Sequence, residues 1–200
     1  MGVKKRLSHT LGQIKKGFPC DTFEGGFPVQ QAFLNPATGG PTDVHGAITL
    51  TAAEQEITTA ITDPDFYRCL RVEGSHADVE GALTVEGTDW ADRLVEEQFT
   101  LNGTAIVSGT RPFKTVTKIT VPAQAGAAIG QNVTVGCTDR LGLYRPLASG
   151  VNTIELLRAN GTREAAVDVD EAEGEYATFR PTTAPNGSTI FEVNYLTDVF

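Results

Sequence analysis

From Gly46 onward the chain repeats one local pattern: a short run rich in β-branched residues, then a turn signal, then another such run. The runs AITLT, EITTAIT, FYRCLRVEG, GALTVEGTD, LVEEQFTLNG, NVTVGC, EYATFRP and TIFEVNYLTDVF are separated by Asp63-Pro64-Asp65, Asn102-Gly103, Ser108-Gly109, Asn160-Gly161 and Pro185-Asn186-Gly187. Runs this short, with apolar and polar residues alternating, cannot build long helices. They specify half-buried strands joined by tight turns. Leu83 and Val85 face inward against Thr84 and Glu86. Val95, Phe99 and Leu101 do the same against Glu96, Gln98 and Thr100, with Glu97 interrupting the inward face. In residues 100–122, TLNGTAIVSGTRPFKTVTKITVP, the residues Phe113, Thr115, Thr117, Ile119 and Val121 are expected on one face of a single strand ended by Pro122. About ten strands are expected. The fold class is all-β: an antiparallel β-sandwich or barrel with an extended irregular N-terminal arm.

The first 45 residues differ from the rest. GFPCDTFEGGFPVQQAFLNPATGGP carries Phe18, Phe23, Phe27 and Phe33 among Gly and Pro, with neither the strand nor the helix period. A short helix at Ser8–Lys16 is compatible with Leu7, Leu11 and Ile14 on one face, and the remainder is expected to be extended. Such an arm gains order by packing either on its own domain or on a neighbour. The expected organisation is therefore an arm over 1–45, a β-sandwich core over 46–147, and C-terminal strands over 148–200. These last strands either complete the same sandwich or form a small β lobe.

The net charge of −9 conceals an asymmetry. Residues 1–20 hold Lys4, Lys5, Arg6, Lys15 and Lys16 and no acid, while the rest of the chain carries 11 basic against 25 acidic residues. A basic arm on an acidic body suits an acidic partner, or the arm of one copy lying on the body of another. The arm is too short and too poor in aromatics to indicate nucleic-acid binding. No run of 18 apolar residues exists, no apolar stretch of a secretory signal follows the first basic residues, and Arg6 stands where myristoylation wants Ser or Thr. Cys20, Cys69 and Cys137 are odd in number and widely spaced, which fits free thiols better than a disulfide framework.

Candidate chemistry is sparse. His9, His45 and His76 stand at no ligand spacing, and no nucleophile elbow, Walker loop or dinucleotide fingerprint occurs. The acidic run from Asp168 to Glu175 could hold Ca²⁺ but lacks EF-hand spacing, so a solvated loop is the simpler expectation. Trp90 between Asp89 and Asp92 has the composition of a sugar site, or of a hairpin tip that packs against something. No convergent set of titratable groups nominates an active site, so no enzyme activity and no cofactor is expected.

Within Ile61–Pro122, the D-P-D turn leading into a strand, the V-E-G-T-D hairpin, the E-Q-F-T-L-N-G strand end and F-K-T-V-T-K-I-T-V-P resemble a module of virion proteins from tailed bacteriophages. GQNVTVGCTDRLGLYRPL, residues 130–147, is similar to its continuation. The resemblance covers about 90 residues and brings no catalytic residues with it. It implies a structural protein that decorates or cements the major capsid lattice, with a tail, neck or baseplate component of such a virion as the alternative. A carbohydrate-binding or adhesin-like β-sandwich module is a separate alternative of another class. The expected contact residues are those five basic residues of the arm, Phe18, Phe23, Phe27, Phe33, Trp90, and the outward Arg111, Lys114 and Lys118. The expected partners are the major capsid protein or other virion proteins. Open sheet edges also favour a small symmetric homo-oligomer such as a trimer.

Overall fold

The computed structural model describes residues 27–148, 154–164, 167–172 and 175–197. Lys4, Lys5, Arg6, Lys15, Lys16, Phe18 and Phe23, together with the expected helix at Ser8–Lys16, lie outside them. The described chain is all-β. In order it forms β1 (Phe27–Leu34), β2 (His45–Thr49), β3 (Gln55–Ile57), β4 (Arg68–Gly74), β5 (Glu80–Thr88), β6 (Leu94–Asn102), β7 (Val107–Phe113), β8 (Thr115–Val121), β9 (Asn132–Gly142), β10 (Leu156–Ala159), β11 (Thr162–Arg163), β12 (Val167–Ala172), β13 (Tyr176–Pro181) and β14 (Ile190–Thr197). Every pairing is antiparallel.

Three sheets enclose two cores. The central sheet runs β12-β13-β9-β4-β7, with β2 also paired to β9. Its companions are β3-β8-β5-β6 and β1-β14-β10-β11. The first core lies between β2, β4, β9 and the β3-β8-β5-β6 sheet, and contains Leu70, Val72, Leu83, Val85, Phe99, Ile119, Val133 and Val135. The second gathers Phe33, Leu141, Leu157, Phe179, Phe191, Val193 and Tyr195 between the β1 sheet and the far end of the central one. Strand β9 serves both, with Val133, Val135 and Cys137 in one core and Leu141 in the other. The expected boundary near residue 147 does not divide the two cores, because Phe33, Leu141, Leu143 and Leu147 of the second core precede or meet it. Cys69 and Cys137 are buried free thiols, and burial pushes Cys137 up to about 12.

Three local expectations need correction. Residues 27–34 are a regular strand of the second core, not part of an irregular arm. Phe33 is completely buried and packs edge-on against Phe179 at 5.5 Å. The strand period is masked in the sequence because the inward Gln31 is polar while the outward Ala32 and Leu34 are apolar, although burial along β1 alternates. Ser108-Gly109 is not a turn but lies inside β7. A Cβ at Gly109 would meet the Glu97 carboxylate and the Phe99 ring, so a larger residue would push those side chains aside. Finally, the strand expected over 113–121 is broken. The chain leaves the central sheet at Lys114, and Thr117 is an extra residue in a bulge opposite Glu86 and Gly87. The bulge reverses the alternation, so Val116 is buried and Thr117 exposed.

The turn signals behave locally as their chemistry dictates. Asn160 and Gly161 both have positive φ, 48° and 79°, as a two-residue type I′ hairpin demands. The Asn186 side-chain oxygen accepts the N–H groups of Ser188 and Thr189. The two carboxylates of Asp63-Pro64-Asp65 act over a longer range. Asp63 accepts the Val116 N–H at 2.9 Å. Asp65 accepts the Ala37 N–H at 2.8 Å and pairs at 2.6 Å with Arg68, whose guanidinium is buried. Arg68 also donates to the Ala37 carbonyl at 3.1 Å, which fastens the segment after β1 to the body.

Because Phe33 fills the second core from β1, Phe33→Ala should cost about 3–5 kcal/mol of stability in denaturant unfolding. A surface-arm residue at 33 would leave the midpoint unchanged.

Candidate functional site

The tip of the β5–β6 hairpin carries the most exposed large apolar residues of this region, Trp90 at 41% and Leu94 at 92%. The tip is stiffened from within. Asp89, itself buried, accepts the N–H groups of Ala91 at 2.8 Å and Arg93 at 2.9 Å, and its second oxygen pairs with the Arg93 guanidinium at 2.7 Å. Asp92 takes the left-handed conformation at φ 60°, and its backbone N–H returns to the Asp89 carbonyl.

Trp90 lies flat on Tyr144, with ring centroids 3.5 Å apart and planes 5° from parallel. Lys114 approaches the same indole at 5.7 Å from its centroid and pairs with Asp92 at 2.6 Å. Beneath the tip, the backbone amide of Trp90 interacts with the phenol of Tyr67, and burial pushes that phenol up. The loop residue Trp90 is therefore held by three distant parts of the chain. An aromatic anchor immobilised before binding loses little entropy on contact.

Beside the tip runs a groove of about 260 Å³ walled by Tyr67, Leu94, Val95, Arg111, Pro112 and Tyr176. Arg111 lies over the Tyr176 ring at 5.5 Å and pairs with Glu175 at 3.0 Å. Below it, Glu97 closes the seam between edge strands β6 and β7, which form no ladder with each other. One carboxylate oxygen accepts the Thr110 N–H at 2.7 Å and the Arg111 N–H at 3.2 Å. The other is buried with no hydrogen-bond partner. Burial raises the Glu97 pKa, against the pull of its Thr110 and Arg111 hydrogen bonds. The residue that interrupts the inward face of β6 thus substitutes for the missing ladder.

The expected contact residues are distributed as follows. Trp90 is exposed at the tip, with Lys114 against it and Arg111 in the adjoining groove. Lys118 is elsewhere, on the outer face of β8, held by Glu86 at 2.5 Å and Glu56 at 3.7 Å. Arg111, Lys114 and Lys118 therefore do not form one basic patch, because each is paired with an acid of its own chain. Phe27 is half-buried at the start of β1, and Phe33 is unreachable. Asp89 and Asp92, which with Trp90 have the composition of a sugar site, are committed to the turn and to Lys114. Leu94 was not singled out from sequence. It could have been, as an apolar residue in phase with Glu96, Gln98 and Thr100 on the polar face of its strand. Among the described residues no group of three or more His, Cys, Asp or Glu side chains is placed to hold a metal ion. Asp168, from the acidic run, is taken by Arg140 at 2.6 Å and Arg180 at 3.5 Å.

No protein-family model, curated protein or solved structure matches this chain.

A carboxyl whose pKa is higher folded than unfolded binds more protons in the native state. Its contribution to stability is full below about pH 4.5 and is lost as pH rises through the folded value. Glu97→Gln keeps an acceptor for Thr110 and Arg111 without that loss. In urea unfolding from pH 4 to pH 8, the variant should gain on the wild type as pH rises above about 4.5. A pH-independent difference would remove the buried-carboxylate account of the seam.

Proposed function

We propose that this chain is a structural protein of a tailed-phage virion that decorates or cements the major capsid lattice, using the β5–β6 tip as a contact point. The observation that carries this reading is the immobilised Trp90 beside the almost fully exposed Leu94, with Arg93 and Arg111 around them. Trp, Tyr and Arg are the side chains that dominate binding energy at protein interfaces, and they do so most when held rigid. The resemblance over residues 61–147 supports the same reading and includes the whole hairpin. The basic arm adds a second point of attachment for an acidic neighbour. The rigid all-β body has no need of chemistry in this role. It holds contact groups at fixed separations under mechanical load.

Co-sedimentation of the full chain with empty capsid shells tests the proposal. Wild type should pellet with shells, and Leu94→Glu should weaken binding about tenfold or more with an unchanged unfolding midpoint. A chain that never pellets with shells, or a Leu94→Glu variant that binds at full strength, overturns this assignment. Assembly into rings without shell binding would favour the tail reading.

A further inference from the structure

The outward face of the central sheet holds a groove of about 370 Å³ into which Arg71 of β4, Arg140 of β9 and Arg180 of β13 all project. These three strands are consecutive neighbours in the sheet, so residues far apart in the chain become one cluster. Ser108, opposite Arg71 on β7, and Thr138 line the same groove.

The donors in this groove outnumber their acceptors. Each guanidinium has five N–H groups and no acceptor. Arg71 donates one to Glu73 at 2.6 Å, while its Nε is buried with no hydrogen-bond partner. Arg140 bonds Asp168 at 2.6 Å and reaches Thr178 only at 3.4 Å. Arg180 reaches that same Asp168 at 3.5 Å, so one carboxylate serves two guanidinium groups. The remaining acid at the groove, Asp139, accepts the Gly39 N–H at 2.8 Å. The N–H groups left over on these guanidinium groups offer an edge to a two-oxygen anion.

We propose that this groove is an oxyanion-binding site, with Arg71 and Arg180 as the principal ligands and Arg140 as the wall between them. The chemistry that fits is a carboxylate or phosphate group. It reaches the site as the side chain of an acidic neighbour or as a free or ester phosphate. The site is separate from the hairpin tip and stands whether or not the chain belongs to a virion.

Thermal unfolding at fixed pH and ionic strength in chloride, inorganic phosphate or acetate tests it. Phosphate stabilises folded proteins generally through exclusion from their surfaces, so each response is compared with that of Arg158→Gln, an exposed arginine of β10 outside the groove. Wild type and Arg158→Gln should show the same saturable rise in midpoint. In Arg71→Gln and Arg180→Gln the half-saturating concentration should rise about tenfold. Arg180 is 63% exposed, so its replacement leaves the fold intact if Arg71→Gln does not. An acetate response equal to that of phosphate assigns the site to partner carboxylates, and a response to phosphate alone assigns it to phosphates. Identical behaviour of all four proteins, or no saturation, overturns the proposal.

Discussion

Strand β9 has to satisfy two cores at once, and the rest of the architecture is arranged around that requirement. Its eleven residues pair with β2 and β4 and, at the far end, with β13. Its inward side chains change allegiance between Cys137 and Leu141. A strand with apolar neighbours at both ends needs its backbone groups met throughout, because water cannot reach them. Beyond the ladder the work passes to side chains. Gln31 of β1 donates to the Gly142 carbonyl at 3.3 Å and accepts the Tyr144 N–H at 3.0 Å, and the buried Tyr195 hydroxyl donates to it at 3.3 Å. A buried amide with three partners ties the end of β9 to β1 and β14 of the neighbouring sheet.

The features legible in the sequence are those whose chemistry is local. Asn160-Gly161 folds as it does because both residues tolerate positive φ, and the alternation in β5 and β6 separates inner from outer faces as written. The features that were hidden depend on partners remote in the chain. Nothing near Phe33 says that Phe191 will lie opposite it. Gly109 looks like a turn until Glu97 is placed over it, and the bulge at Thr117 exists only relative to β5. The site divides in the same way. The exposed tip with Trp90 could be located, whereas Tyr144 beneath the indole comes from a separate loop with no periodicity to mark it.

Charge on the body is organised as short-range neutralisation. Nearly every basic side chain of the hairpin region meets an acid of the same chain within 4 Å. Exposed pairs of this kind add little stability. Their effect is to remove isolated cations from an acidic surface, leaving aromatic and aliphatic area as the character of the tip. The arginine groove departs from this economy, with three cations served by few acceptors.

The pairing of β1 with β14 also sets an order of events. The first core has all its strands once β9 has emerged from the ribosome, and can close then. The second core cannot, since Phe33 must wait for Phe191 and Val193, near the end of this sequence. Until β14 has emerged, β1 therefore has no strand to pair with while the first core can already close. That interval is the time when a neighbouring chain could supply the missing strand, so two copies made close together have a route to exchanging β1.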